Sequence, residues 1–358
     1  MLGGVIVART QATPVRQRTD RRRQQTRART LPGVIVAVVI AATLPALALA
    51  FAPSALAARA HRAVAPRMLF GLGTEADGDR SGALAKNAPL GMLSSWYNGP
   101  SDLSWMSGWE TTEVPRDYAA GYEMHLIVWS GESRSTLSTP YGTACGQPYP
   151  ISPQFLVNME QLARIFKPPA NRTLYVTLFS EFQTYPCNGN EWSGSPQTTA
   201  YYEALKAQYL AALKIFHRLA PGSKVSLGWG GWQARWNGPA TGAGRSLFKH
   251  FADVMHASDF QSFEVINSET DTTDILGMAR QLKPYGPVML AYYRPPEGSV
   301  TVTRSHLKAV LARSFLEREA ALGVFSMGFM SEQWFASDPP SLALVEGALR
   351  SFGCTLCS

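Results

Sequence analysis

Eight short apolar runs, separated by segments with helical spacing, constrain this chain more than any other feature. They begin at Met68 (MLFGLG), Leu90 (LGMLSSW), Met124 (MHLIVWSG), Thr173 (TLYVTLFSEF), Lys224 (KVSLGWGGW), Phe263 (FEVINSET), Val288 (VMLAYYR) and Gly323 (GVFSMGFM). They are continuous rather than alternating, as expected of strands covered on both faces in a parallel sheet. Residues 152–166 place Phe155, Leu156, Met159, Leu162, Ala163 and Phe166 on one stripe. Residues 199–219 do the same with Tyr202, Leu205, Tyr209, Leu213 and Phe216, and residues 303–321 with Leu307, Val310, Leu311, Phe315 and Leu316. Spacings of three and four are helical. The first two crossovers show a weaker stripe. Alternating strands and helices give an α/β fold, and eight repeats in roughly 290 residues match a (β/α)₈ TIM barrel. The runner-up, an open doubly wound sheet, normally carries a glycine-rich phosphate turn after its first strand. Here that turn reads FGLGTEADGD, with too few glycines and too many acids to hold a pyrophosphate.

The barrel domain is expected over residues 61–358, after a leader over residues 1–60. The leader holds Arg9, Arg16, Arg18, Arg21, Arg22, Arg23, Arg27 and Arg29 against the single acid Asp20, then an uncharged apolar stretch over residues 31–58 ending in A-x-A at Ala55–Ala57. A basic region, an apolar region and a small-residue cleavage site form a secretory signal. The alternative is an uncleaved anchor, since about 20 apolar residues span a bilayer, but Pro45 and Pro53 interrupt the run. Residues 1–57 alone carry a net +7, equal to that of the whole chain, so the remainder is neutral. No basic stripe remains to neutralise phosphates, which sets nucleic-acid binding aside. A monomer is the default expectation, touching a membrane only through an uncleaved leader. The four cysteines allow three pairings, of which Cys145–Cys187 and Cys354–Cys357 are favoured; an even count fits an oxidising compartment. CTLC at the tail lacks the further ligands that a structural zinc needs, so no metal is expected, and no cofactor is implied.

In a barrel, function collects at the C-terminal ends of the strands. Of nine tryptophans, Trp96, Trp129, Trp192, Trp229, Trp232, Trp236 and Trp334 fall there. An indole complements the apolar face and polar rim of a sugar ring, and Trp favours half-wet sites; the bland reading is that several simply cap the barrel top. Glu181 follows TLYVTLF and Ser180 at the lip of a strand. Partial desolvation there would raise its pKa and keep it protonated, as a general acid requires. The competing reading is a structural carboxylate. Glycoside hydrolysis usually needs a second acid. Glu269 is favoured narrowly over Glu297 and Glu332, with Glu75, Asp77 and Asp79 after the first strand. Trp96, Tyr97, Asn98, Trp129, Trp232, Gln233, Tyr292 and Trp334 are the candidate sugar-binding residues.

Leu178-Phe179-Ser180-Glu181 and the tryptophan pattern resemble the retaining glycoside hydrolases of the cellulase and mannanase type. That resemblance implies a secreted hydrolase of a polysaccharide, with Glu181 as acid/base. It also implies a nucleophilic Glu ending strand seven, but Pro287-Val288-Met289-Leu290-Ala291 leads to Tyr292. That departure leaves open a different second carboxylate, such as Glu269, or a barrel that binds sugar without cleaving it. No G-x-S-x-G elbow, H-E-x-x-H motif or P-loop is present. His125 is expected in the barrel core, and the Asn171-Arg172-Thr173 sequon leads into a strand.

Overall fold

Each of the eight apolar runs forms a strand. The computed structural model describes residues 67–73, 80–238 and 244–355. The strands are β1 (Leu69–Leu72), β2 (Met92–Tyr97), β3 (Glu123–Val128), β4 (Leu174–Leu178), β5 (Ser223–Gly230), β6 (Gln261–Ile266), β7 (Val288–Arg294) and β8 (Val324–Phe329). They close into a barrel in which each strand is parallel to both neighbours and β1 meets β8. This is a (β/α)₈ TIM barrel. The leader, and with it residues 31–58, lies outside the described residues. Among the described residues, no helix is long and apolar enough to cross a membrane.

The helices begin where the sequence provides caps. Ser152, Ser195 and Ser299 accept from the backbone N–H three residues on, and Asp338 does the same for Ser341; Pro follows three of the four. Each cap satisfies one of the otherwise unpaired first-turn donors. The helix expected over 303–321 is two, Val300–Val310 and Arg313–Ala321, with Ala312 extended between them. The break lets the first half pack on the C-terminal helix while the second reaches β8. The early crossovers are short helices, Ala83–Asn87 and Glu113–Ala119. The loop after β3 carries an antiparallel hairpin, Ser135–Thr139 with Gly142–Gly146, that the apolar pattern does not reveal.

Strand alternation separates two cores. Outward residues form the layer beneath the helices, whereas Leu69, Met92, Ile127, Tyr175, Phe260, Met289, Ala291 and Tyr292 form a distinct cluster. His125 is fully buried, with its ring nitrogens 3.2 Å from Ser94 Oγ and 2.9 Å from Thr177 Oγ1. Thr177 Oγ1 donates to Ser262 Oγ (3.0 Å), which donates to the Leu227 carbonyl (3.0 Å). Desolvation pushes the His125 pKa down to about 3, so the ring is neutral. The Cys145–Cys187 disulfide is present and ties the hairpin to the loop after β4. Cys354 is disulfide-bonded as well, and its expected partner Cys357 lies outside the described residues.

Candidate active site

The C-terminal end of β4 does not continue in extended backbone. Phe179 and Glu181 both adopt left-handed conformations, with φ of 57° and 56°. Such a conformation costs a non-glycine residue about 1–3 kcal/mol and persists only where the surroundings enforce it. Ser180 N donates to the Val128 carbonyl (2.9 Å), Tyr185 Oη donates to the Ser180 carbonyl (2.9 Å), and Thr184 N donates to the Glu181 carbonyl (2.8 Å). The Phe179 ring stacks on Phe155 with centroids 4.7 Å apart. On β5, a Cβ at Gly228 would stand 2.7 Å from Ser180 Cα, so glycine there admits the close approach of this turn.

The turn delivers the Glu181 carboxyl into hydrogen-bonding contact with the Glu264 carboxyl, which projects from the middle of β6. Glu264 is 2 % exposed. Its Oε2 accepts from Ser180 Oγ at 2.5 Å, and the Tyr292 hydroxyl, from the neighbouring position on β7, also bonds to it. Its Oε1 is buried and meets no N–H or O–H among the described residues. A hydrogen bond between two carboxyls requires that one of them carry a proton. Desolvation, and then the Glu181 charge, hold Glu264 far above the usual carboxylate range, so it is the last of the pair to ionise. Glu181 is also raised by desolvation, an effect partly offset by the hydrogen bond it receives from protonated Glu264.

Glu181 opens into a cleft of about 390 Å³ lined by Trp96, Asn98, Trp105, Trp129, Ile266, Tyr292 and Met330. Trp96 meets Tyr292 edge-on at 4.6 Å. Asn98 is exposed, and both its backbone N (2.7 Å) and its Nδ2 (3.1 Å) donate to Asp102 Oδ2. Among the described residues lining this cleft, Glu181 is the one carboxylic acid. Glu75, Asp77 and Asp79 lie outside the described residues.

Of the candidate residues, the structure gathers Glu181, Trp96, Asn98, Trp129 and Tyr292 around this cleft and places the others elsewhere. Tyr97 points outward and is buried against Tyr149 (2.5 Å between hydroxyls) and Asn158 (2.9 Å), because strand alternation turns it away from Trp96. Gln233 is buried, donating to the Asn190 carbonyl and accepting from Leu247 N (3.1 Å), and so ties two loops together. Trp334 lies beneath the Arg294 guanidinium, whose Cζ stands 3.9 Å from the indole ring centroid. Trp232 lines a neighbouring depression. Trp229 is fully buried against Phe182, Phe248 and Phe251, and Trp192 is stacked on His250.

Among the acids, Glu269 is exposed on the loop after β6, beside a hollow that Glu264 also lines, rather than in the cleft with Glu181. Glu297 is exposed and paired with Arg294. Glu332 accepts from Ala83 N (3.1 Å) and Leu84 N (3.0 Å), capping a helix. Sequence reasoning missed Glu264 and Trp105. The first has a signal: a charged residue between Phe263 and Val265, inside a strand covered on both faces, is costly unless it is paired. Trp105 sits in the one-turn helix Leu103–Met106, which is too short for a periodicity to assign it a direction.

No family model matches this chain, and no curated protein matches it. Among solved structures it is similar to the glycoside hydrolase domain of PgaB (BpsB) from Bordetella bronchiseptica, at 12% identity and a TM-score of 0.44, over 82% of this chain and 100% of that one. It is similar to the catalytic core of xylanase A at 12% identity and 0.48, over 80% and 99%. It is also similar to a chitinase from Pyrococcus furiosus at 12% identity and 0.44, over 82% and 98%.

Proposed function

We propose that the chain is a glycoside hydrolase acting on a polysaccharide, with Glu181 as its general acid. The observation that carries this reading is the pairing of Glu181 with buried Glu264, presented to an aromatic cleft by two left-handed residues. A general acid must hold its proton near the working pH and lose it readily in the transition state. Desolvation raises the Glu181 pKa and so favours its protonated form, and the hydrogen bond from Glu264 stabilises the carboxylate left after transfer to the glycosidic oxygen. Opposed catalytic carboxyls stand about 5–10 Å apart. Glu264 touches Glu181 and is sealed from the cleft, so its part is to set the proton affinity of Glu181. Trp96, Trp129 and Tyr292 offer ring faces and edges to a sugar, and Asn98 offers polar atoms to its hydroxyls.

The leader pattern and the Cys145–Cys187 disulfide support action outside the cytoplasm. The test is reducing-sugar release from β-glucans, mannans, xylans and chitin by the barrel domain and by Glu181→Gln. Release that the substitution removes supports the reading. Binding of these glycans with no release from any of them would replace it with a non-catalytic sugar-binding barrel.

A further inference from the structure

The loop that carries Glu181 is fastened to a piece of chain that belongs to no barrel strand. The hairpin after β3, Ser135–Thr139 with Gly142–Gly146, is seated on the helix Pro196–Leu219. Tyr201 Oη donates to the Gln147 carbonyl (2.9 Å), and a Cβ at Gly146 would stand 2.4 Å from the Tyr201 ring. From this seat the hairpin reaches the loop after β4. Gln147 N donates to the Tyr185 carbonyl (3.2 Å) and Cys187 N to the Cys145 carbonyl (3.0 Å). Gly146 and Pro186 form an isolated antiparallel bridge, and Arg134 Nε donates to the Thr184 carbonyl (3.0 Å). Each such hydrogen bond contributes about 0.5–1.5 kcal/mol net. The Cys145–Cys187 disulfide makes the connection covalent.

The fastened segment, residues 184–187, is also the one that holds the acid. Thr184 N donates to the Glu181 carbonyl (2.8 Å). Tyr185 is fully buried; its Oη accepts from Ser130 N (3.1 Å) and donates to the Ser180 carbonyl (2.9 Å). A displacement of residues 184–187 is therefore passed to Ser180 and Glu181 rather than absorbed by slack chain. The left-handed backbone at Glu181 makes this consequential, because such a conformation persists only while its surroundings enforce it. At the other end Cys187 is exposed and Cys145 half-buried, so the S–S bond is open to a thiol in solution. Exposed disulfides are the ones that exchange readily.

We propose that the hairpin and its disulfide form a brace for Glu181, with Tyr185 as the positioning residue between them, so that thiol–disulfide exchange at Cys145–Cys187 loosens the acid. This rests on the glycoside hydrolase reading and deepens it, naming a redox control of that same site. In the exchange a dithiol such as dithiothreitol gives two electrons and two protons to the S–S bond; two cysteine thiols result, and the reagent leaves as its cyclic disulfide. A loosened carboxyl meets more water and titrates lower, because desolvation is the first cause of its raised pKa. The test is titration of the ¹³C-labelled Glu181 carboxyl in the oxidised, reduced and reoxidised protein, with circular dichroism to follow the fold. The expected result is a fall of about half a pH unit or more on reduction, regained on reoxidation, with kcat lowered about tenfold and KM little changed. Cys145→Ser with Cys187→Ser should titrate as the reduced protein does and ignore the dithiol, whereas Cys354→Ser with Cys357→Ser should respond as the wild type does. Tyr185→Phe keeps the ring and loses both hydroxyl bonds; in the oxidised protein it should show the same fall, and it carries the test if reduction unfolds the barrel. A Glu181 titration indifferent to reduction in the folded protein, a response that survives the loss of Cys145 and Cys187, or an unmoved titration in Tyr185→Phe overturns the brace. A redox-dependent titration in a protein that releases no sugar from any glycan keeps the brace and overturns the hydrolase.

Discussion

Replacing Glu264 by Met should move the basic limb of the pH–rate profile upward. Glu181 in its ionised form receives one hydrogen bond from protonated Glu264, and this bond lowers a pKa that desolvation has raised. A hydrogen bond to a charged group contributes about 1.5–3 kcal/mol. Glu181 sits at the edge of the cleft, where water takes over part of that role, so the lower half of the range applies. At about 1.4 kcal/mol per pH unit, losing the bond raises the Glu181 pKa by roughly one unit. The sign follows from which form the bond favours: removing a donor from a carboxylate disfavours ionisation, so the acid keeps its proton to higher pH. Glu264→Gln is the control. Its amide can donate to Glu181 while its carbonyl accepts from Ser180 Oγ, so the limb should move by less than about half a unit. The assay is kcat/KM against pH on a soluble oligosaccharide. Titration of the ¹³C-labelled Glu181 carboxyl by NMR gives the same pKa without turnover. A Met variant whose Glu181 titrates at or below the wild-type value would refute the reasoning.

Other outcomes follow from particular contacts. Both carboxyl oxygens of Glu319 are buried without a hydrogen-bond partner among the described residues, and desolvation holds the pKa well above the usual range. Its contribution to stability is present below the unfolded carboxylate pKa and is lost as pH rises through the folded one. Glu319→Leu should therefore raise the neutral-pH melting temperature by a few degrees, about 1–3 kcal/mol, and flatten the decline of stability with pH; an unchanged melting temperature would count against it. Gly228→Ala forces Ser180 to move and should cut kcat at least tenfold while stability changes far less, as a paired activity and melting measurement would show. Trp129→Ala should raise KM about tenfold, equivalent to about 1.4 kcal/mol, with kcat little changed. Cys145→Ser with Cys187→Ser opens a loop with a sequence separation of 42 and should cost about 2–4 kcal/mol in denaturant unfolding.

The barrel was legible because burial on both faces leaves a mark that composition cannot hide: each strand reads as an uninterrupted apolar run. Glu181 was legible for the same reason, as the acid that ends such a run. What the run does not encode is direction. Trp96 and Tyr97 are adjacent and both aromatic, yet only the pleat decides that one faces the cleft and the other the helices. Glu264 is hidden by its own burial: within FEVINSET it reads as an interruption, whereas Glu269 stands openly on the loop, where acids are ordinarily solvated. The hairpin at Ser135–Gly146 escaped because its strands are polar and largely exposed, held by a turn and a disulfide rather than by an apolar face.

The left-handed turn at Phe179–Glu181 divides the labour of the barrel top. The groups that fix it come from the β3 carbonyl at Val128, from Phe155 and Tyr185, from Gly228 on β5 and from Glu264 on β6. Much of the cleft wall comes from elsewhere: Trp96, Asn98 and Trp105 at and beyond β2, Tyr292 on β7 and Met330 after β8. The mounting of Glu181 and most of the cleft wall are thus separately mutable. On the proposed reading, the β2 and β8 rims can be exchanged by drift or by design to suit a new glycan, while Glu181 keeps its position and its proton affinity.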